Sequence, residues 1–259
     1  MDSEEYASII RELIANNELP RFVFKFISLD KLILLLKGGS IKFSKPSNFN
    51  DPFDCNITID TNNTTEEIEK YVNDVAIRKN LNQQDKEQFL SKLLDPDERF
   101  KITNNAVRQS IDSHGLSCFS KFNTNLLMWA HYADSYNGAC IKFDILKDIE
   151  FFDLPFLVRY EPQYPVINYL KNEDELSKLI VETKSKDWEY EQEMRVLKRN
   201  PGFYSFNKDM IIEIEFGFRV DENKRNRIIK LAKSKGYDNV KFYRTEIKKN
   251  EFGVTFIEL

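Results

Sequence analysis

The sequence predicts an α+β protein with a central antiparallel or mixed sheet and a helical insertion. Period-two alternation marks strands near both ends of the chain, in "RFVFKFIS" and "MIIEIEF". Between them, residues 64–113 change to helical spacing with a Thr cap and early glutamates. No internal period and no low-complexity linker divides the chain, so residues 1–259 are expected as a single domain with the insertion at about 60–113.

The elements follow in order. Tyr6, Ile9, Ile10, Leu13 and Ile14 recur at helical spacing, which makes residues 4–16 an amphipathic helix. "RFVFKFIS" sets Phe22, Phe24 and Phe26 against Arg21, Val23 and Lys25, the pattern of a strand buried on one face at least. Asp30 opens a helix through Leu36, Gly38-Gly39 ends it, and "SIKFS" is a second strand. Helices are expected over "TTEEIEKYVNDVAIRK", "QQDKEQFLSKLL" and "DERFKITNNAVRQSI". "GLSCFS" and "GACIKFD" are strands around a short buried helix in "NLLMWAHYADS", "DLPFLVRYEP" extends the sheet, and a polar helix covers roughly 172–186. The C-terminal quarter adds strands in "MIIEIEF", "NVKFYRT" and "GVTFIEL" and a helix in "DENKRNRIIKLAKSKG".

Composition narrows the function classes. Hydrophobic residues at 41% and aromatics at 13% allow a full core without staples. The net charge is −4 with signs interspersed, so no global basic field attracts a phosphate backbone, and "KLAKSKG" and "EIKKNE" read as solvated faces. The longest apolar run, Leu32 to Leu36, is far too short for a bilayer, and "MDSEEYASII" is acidic where a secretory leader is basic. A cytoplasmic protein with no membrane partner is expected. Three cysteines, Cys55, Cys118 and Cys140, form no C-x-x-C pair, and with His114 and His131 they show none of the usual zinc spacings, so no metal site is expected. Neither G-x-x-x-x-G-K-[ST] nor G-x-G-x-x-G occurs.

Three stretches carry the chemistry-bearing residues. "SKPSNFNDPFDC" restrains its own backbone through Pro46 and Pro52 and offers Asn48, Asn50, Asp51 and Asp54. Phe49 and Phe53 are suited to pin such a loop, which would make it a ligand clamp. The same asparagines and aspartates also serve as ordinary turn caps. In "DWEYEQEMRVLK", an extended backbone puts Glu189, Glu191, Glu193 and Arg195 on one face, and a helical one joins Glu191 to Arg195. Such a pair either docks two elements or leaves a carboxylate for general-base work. In "CFSKFNTNLLMWAHYADSYNGAC", Met128, Trp129 and Tyr132 share a helical face with His131 on or beside it, and neither Ser120 nor Cys118 has a placed base.

The motifs "FVFKF", "FSKPSNFNDPFD", "CFSKFNTNLLMWAHYADSYNGACIKF" and "DWEYEQEMRV" occur in that order, and with them the chain resembles a widespread bacterial and phage family of unknown function. The resemblance covers about 22–198. Phe stands where many relatives carry Tyr beside the strand lysine. The order of lysine strand, helix, strand, clamp loop and late glutamate also looks like the ADP-ribosyltransferase fold, in which a split antiparallel sheet grips NAD. That layout implies that Lys25 meets the cofactor's phosphates, that Ser44, Asn50 and Asp51 border the nicotinamide pocket, that His131 and Tyr132 close it, and that Glu193 is the catalytic carboxylate backed by Arg195.

Three functions remain open at this point. One is an NAD-consuming transferase or glycohydrolase in a toxin or phage-defence setting, with a nucleotide-type ligand and a nucleic-acid or protein acceptor. Another is a small-molecule or nucleotide sensor without turnover. The third is a metal-dependent nuclease using Asp51, Asp54 and Glu193.

Overall fold

The structure is a computed structural model that describes residues 3–153, 155–171 and 176–259. In chain order the elements begin with α1 (Ser3–Ala15), β1 (Phe22–Ile27), α2 (Leu29–Gly38), β2 (Ser40–Phe43) and β3 (Thr58–Ile59). Then come α3 (Thr65–Lys79), α4 (Gln83–Leu94), α5 (Pro96–Asp112), β4 (Gly115–Ser120), α6 (Leu126–Tyr132) and β5 (Ala139–Asp144). β6 (Pro155–Leu157), β7 (Arg159–Glu161), β8 (Val166–Ile167), α7 (Leu176–Glu182) and β9 (Thr183–Ser185) follow. The chain closes with β10 (Glu193–Lys198), β11 (Gly202–Ser205), β12 (Ile211–Phe216), α8 (Glu222–Ser234), β13 (Lys241–Ile247) and β14 (Val254–Glu258).

This is an α+β fold, and the chain divides into two compact units. The first comprises Met1–Ser44, Gly115–Val158 and Asp187–Leu259. Its sheet of eight strands runs β14-β13-β12-β5-β1-β4-β10-β6. The sheet is mixed, because β12 and β13 run parallel while its other pairs are antiparallel. Its register sorts the side chains: Val23, Ile27, Ile141, Phe143, Met194, Val196 and Ile214 join one core with Leu32, Leu35 and Leu36 of α2 and Ile228 and Ala232 of α8. On the other face, Phe24, Phe26 and Cys140 pack with Met128 and Trp129 of α6. Each such side chain contributes about 1.5–3 kcal/mol on full burial, so both faces are committed. Ser28 caps α2, two residues before the expected start at Asp30, and Gly39 closes it at φ 59°.

The second unit comprises Lys45–His114 and Arg159–Lys186. It holds the expected helical insertion as α3, α4 and α5. Thr64 and Glu67 form a capping box on α3. Ile68, Val72 and Leu93 make a small core, and two parallel two-stranded ladders, β3 with β8 and β7 with β9, tie its segments together.

Two expectations need revision. "DLPFLVRYEP" extends the large sheet only through β6, after which Arg159–Glu161 pairs with β9 inside the second unit. Of the helix expected over 172–186, residues 172–175 lie outside the described residues. The rest is helical only as far as Glu182; Thr183 bonds the Leu179 carbonyl through its hydroxyl at 2.8 Å and enters β9. No helix among the described residues is long and apolar enough to cross a membrane.

Candidate functional site

In the first unit the polar groups gather around β4. On one side β4 pairs with β10 over its whole length, Glu193 opposite Ser120 through Lys198 opposite Gly115. Its other side forks. β1 meets it at Phe24 opposite Ser120, and Ser44, at the end of β2, meets it at Leu116 through two backbone hydrogen bonds of 2.9 Å. Between those two points lies Lys25. Its ammonium donates to Ser117 Oγ at 3.0 Å and to the Cys118 carbonyl at 2.9 Å, and it sits 4.9 Å from the centre of the Phe119 ring. A strand carbonyl must find a donor, and here a side chain supplies what a neighbouring strand would otherwise give. Burial pulls the Lys25 pKa below its ordinary value, opposed by electrostatic attraction to Cys118 and Glu193.

Across β4, alternation turns Glu193 and Arg195 to one face of β10, and they lock together. Arg195 Nε and Nη2 donate to the two carboxylate oxygens at 3.0 and 3.1 Å, with Arg195 0% and Glu193 4% exposed. The segment before them is neither the strand nor the α-helix weighed from the sequence. Residues Lys186–Glu191 form a short 3₁₀ helix, and Gln192 at φ 45° breaks into the strand. The extended backbone from Glu193 onward thus brings Arg195 to Glu193 in the bonds just described. Glu191 is buried, accepts from Tyr132 Oη at 2.5 Å, and its carbonyl takes the Ser120 hydroxyl at 2.7 Å.

α6 hangs over this region because its N-cap, Asn125, does two jobs. Its Oδ1 accepts from the Leu127 and Met128 N–H groups while its Nδ2 donates to the Tyr190 carbonyl at 2.7 Å. Trp129 Nε1 donates to the Asn123 carbonyl at 2.7 Å, and its ring meets Phe26 edge-on at 5.3 Å. His131 is exposed, with Nδ1 3.0 Å from Tyr190 Oη, and Trp188 lies 5.9 Å from Tyr190 ring to ring. The helix ends in a left-handed run, Asp134, Ser135 and Tyr136, which brings Gly138 so close to the Ile27 and Ala133 carbonyls that a Cβ would collide with them.

Lys25, Ser44, His131, Tyr132, Glu193 and Arg195 thus flank β4 or the segment leading to β10, but on two faces: Lys25, with Val23, Ile27 and Ser117, turns to the side of α2 and α8, whereas Glu193 and Arg195, opposite Ser120 and Cys118, turn to the side of α6. Asn50 and Asp51 belong to the second unit. There the loop is held by its own bonds: Phe49 N–H to the Pro46 carbonyl, Phe53 N–H to Asp51 Oδ1, Cys55 N–H to Asp54 Oδ1 and Ser47 N–H to Asp112 Oδ1. Asn50 is exposed, and Phe53, expected as a pin, is 65% exposed. Asp51 and Asp54 are buried and line a cavity with Phe49.

One polar group escaped the sequence reading. Glu215 stands in "IIEIEF", where alternation points it to solvent, yet α6 and its leading loop roof that face and leave it buried. Asn123 Nδ2 donates to Glu215 Oε1 at 2.7 Å. Burial pushes its carboxyl up to about 8, and the neighbouring Cys140 thiol is driven well above its usual value by burial and by Glu215. The available signal was its match with Lys142 and Glu213, which pair at 2.9 Å on the same face. No cluster of three or more His, Cys, Asp or Glu able to hold a metal exists among the described residues.

A family model described as a protein of unknown function (DUF2971) matches residues 128–196. That span contains His131, Tyr132, Glu193 and Arg195, while Lys25, Ser44, Asn50 and Asp51 lie outside it. No curated protein and no solved structure matches the chain.

Proposed function

We propose that the first unit binds NAD at the fork of β4 and uses it for ADP-ribosyl transfer or glycohydrolysis. The observation that carries this is the opening of the sheet between Phe24–Ser120 and Ser44–Leu116, with the Lys25 ammonium set inside it. The donor set suits a dinucleotide. Ser117 and Cys118 account for two of the three ammonium N–H groups of Lys25, which leaves a donor for a phosphate oxygen. Tyr132, Tyr190 and Trp188 supply aromatic surface for a flat ring, and Glu193 supplies a carboxylate whose charge Arg195 balances. When bound, NAD contributes an N-glycosidic bond whose cleavage frees nicotinamide. Tyr132 holds Glu191 and Arg195 holds Glu193, so both carboxylates keep fixed orientations through that step.

A second reading is favoured by the same pair. Glu193 bound bidentately to Arg195 suits a rigid frame, as in a sensor that binds a nucleotide without changing it. Incubation of the full chain with NAD, followed by chromatography for nicotinamide and for label transferred to added RNA, DNA and protein, separates the two. Turnover lost in Glu193→Gln supports the enzyme. A rise in Tm with NAD recovered intact supports the sensor. Neither turnover nor a rise in Tm contradicts both.

A further inference from the structure

We infer that the cavity of the second unit beneath residues 46–55 binds a small organic cation through Asp51, a ligand class outside the NAD reading. The cavity holds about 220 Å³, and Phe49, Asp51, Asp54, Arg108 and Asp112 are among its lining residues, all from the second unit. Asp51 is 9% exposed. Its Oδ1 takes the Phe53 N–H at 2.9 Å, while its Oδ2 is buried with no hydrogen-bond partner among the described residues. A buried carboxylate oxygen without a donor is costly, and a ligand N–H at this wall relieves that cost.

Charge decides what kind of donor. Asp54 is compensated by Lys184 at 3.5 Å, which leaves Asp51 and Asp112 against Arg108 alone. Arg108 donates to Asn56 Oδ1 at 3.1 Å and Asp112 Oδ1 accepts from Ser47 N–H, so neither is turned wholly to the cavity. The wall therefore carries one net negative charge, the complement of a monocation. The described residues hold no group of three metal-ligating side chains, which favours an organic cation bearing N–H groups over a bare ion. Phe49 adds an aromatic surface that attracts such a cation. The loop is already fixed by its internal bonds, so little ordering accompanies binding.

The test is titration of the full chain with methylguanidinium and, separately, with neutral N-methylurea, followed by NMR chemical shifts. The expected result is saturable binding of the cation, at least about tenfold tighter than the urea, as one charge-assisted hydrogen bond implies. Asp51→Asn, melting as a folded protein, should reduce that preference to near unity. Equal binding of both probes, no saturable binding of either, or an unchanged preference in folded Asp51→Asn overturns the proposal. Should Asp51→Asn fail to fold, the comparison of the two probes on the wild type decides alone. NAD turnover is not read in this experiment, so its outcome is independent of the function proposed for the first unit.

Discussion

Arg195 reaches back two residues along β10 to hold both oxygens of Glu193, and the pair is sealed from water. Strand alternation makes this possible, since residues i and i+2 share a face. Burial of two charges is tolerated because each compensates the other.

Removing either residue breaks the bidentate contact of a buried ion pair. Arg195→Met is expected to destabilise the first unit by about 3–5 kcal/mol, the range for breaking a buried ion pair. Glu193→Gln added to Arg195→Met should recover much of that loss. Urea denaturation of the wild type, the two single variants and the double variant measures it, and additive losses in the double variant would show that the pair is not coupled.

Glu215 gives the fold a pH dependence of known sign. Its folded pKa, about 8, lies above the ordinary 4.5, so the folded state keeps a proton that the unfolded chain releases. The associated stability is complete below about 4.5 and is lost as pH rises through about 8, with a slope of up to about 1.4 kcal/mol per unit between them. Glu215→Gln keeps the acceptor for Asn123 and should flatten that slope. Denaturation midpoints at several pH values check it, and an equal slope in wild type and variant would exclude Glu215 as its source.

Trp129 is the anchor of α6 on the sheet. It is fully buried against Phe26, and its ring stacks on Tyr136 at 6.1 Å. Trp129→Ala should cost about 3–5 kcal/mol. Trp129→Phe should cost less, keeping the ring but losing the bond to the Asn123 carbonyl. Thermal melts followed by circular dichroism distinguish the two.

Gly138 tests the left-handed turn after α6. A Cβ there meets backbone oxygens of Ile27 and Ala133, neither of which can swing aside as a side chain tip would. Gly138→Ala is expected to lower Tm more than Gly202→Ala, where the nearest atom is the Tyr204 ring at 3.9 Å. Equal losses at both positions would mean that the close approach is not needed.

Much of the fold was legible because the strands alternate and the helices carry their own caps. Phe22, Phe24 and Phe26 announce β1, and Thr64 with Glu67 announces α3. The site was legible in part. Lys25, Ser44, Glu193 and Arg195 come to β4 because strand pairing brings distant residues side by side, but no spacing in the chain says that β1 and β2 touch β4 at different points. Glu215 was hidden for a related reason: alternation tells which residues share a face, not whether a loop covers it. β11 was missed because "GFYS" is too short to show a period. Asn50 and Asp51, expected to border one pocket with Lys25, belong to the second unit, a division that no composition shift in the chain announces.

Calorimetric titration of the full chain with NAD, for the wild type and for Lys25→Met, tests binding at the β4 fork directly. Lys25→Met is close to the lysine in length and removes the ammonium that bonds Ser117 and the Cys118 carbonyl. Saturable binding by the wild type is expected, with a loss of at least about tenfold in affinity for the variant, in keeping with one charged contact. No saturable heat from the wild type, or the same affinity in both proteins with the variant still folded, would contradict it.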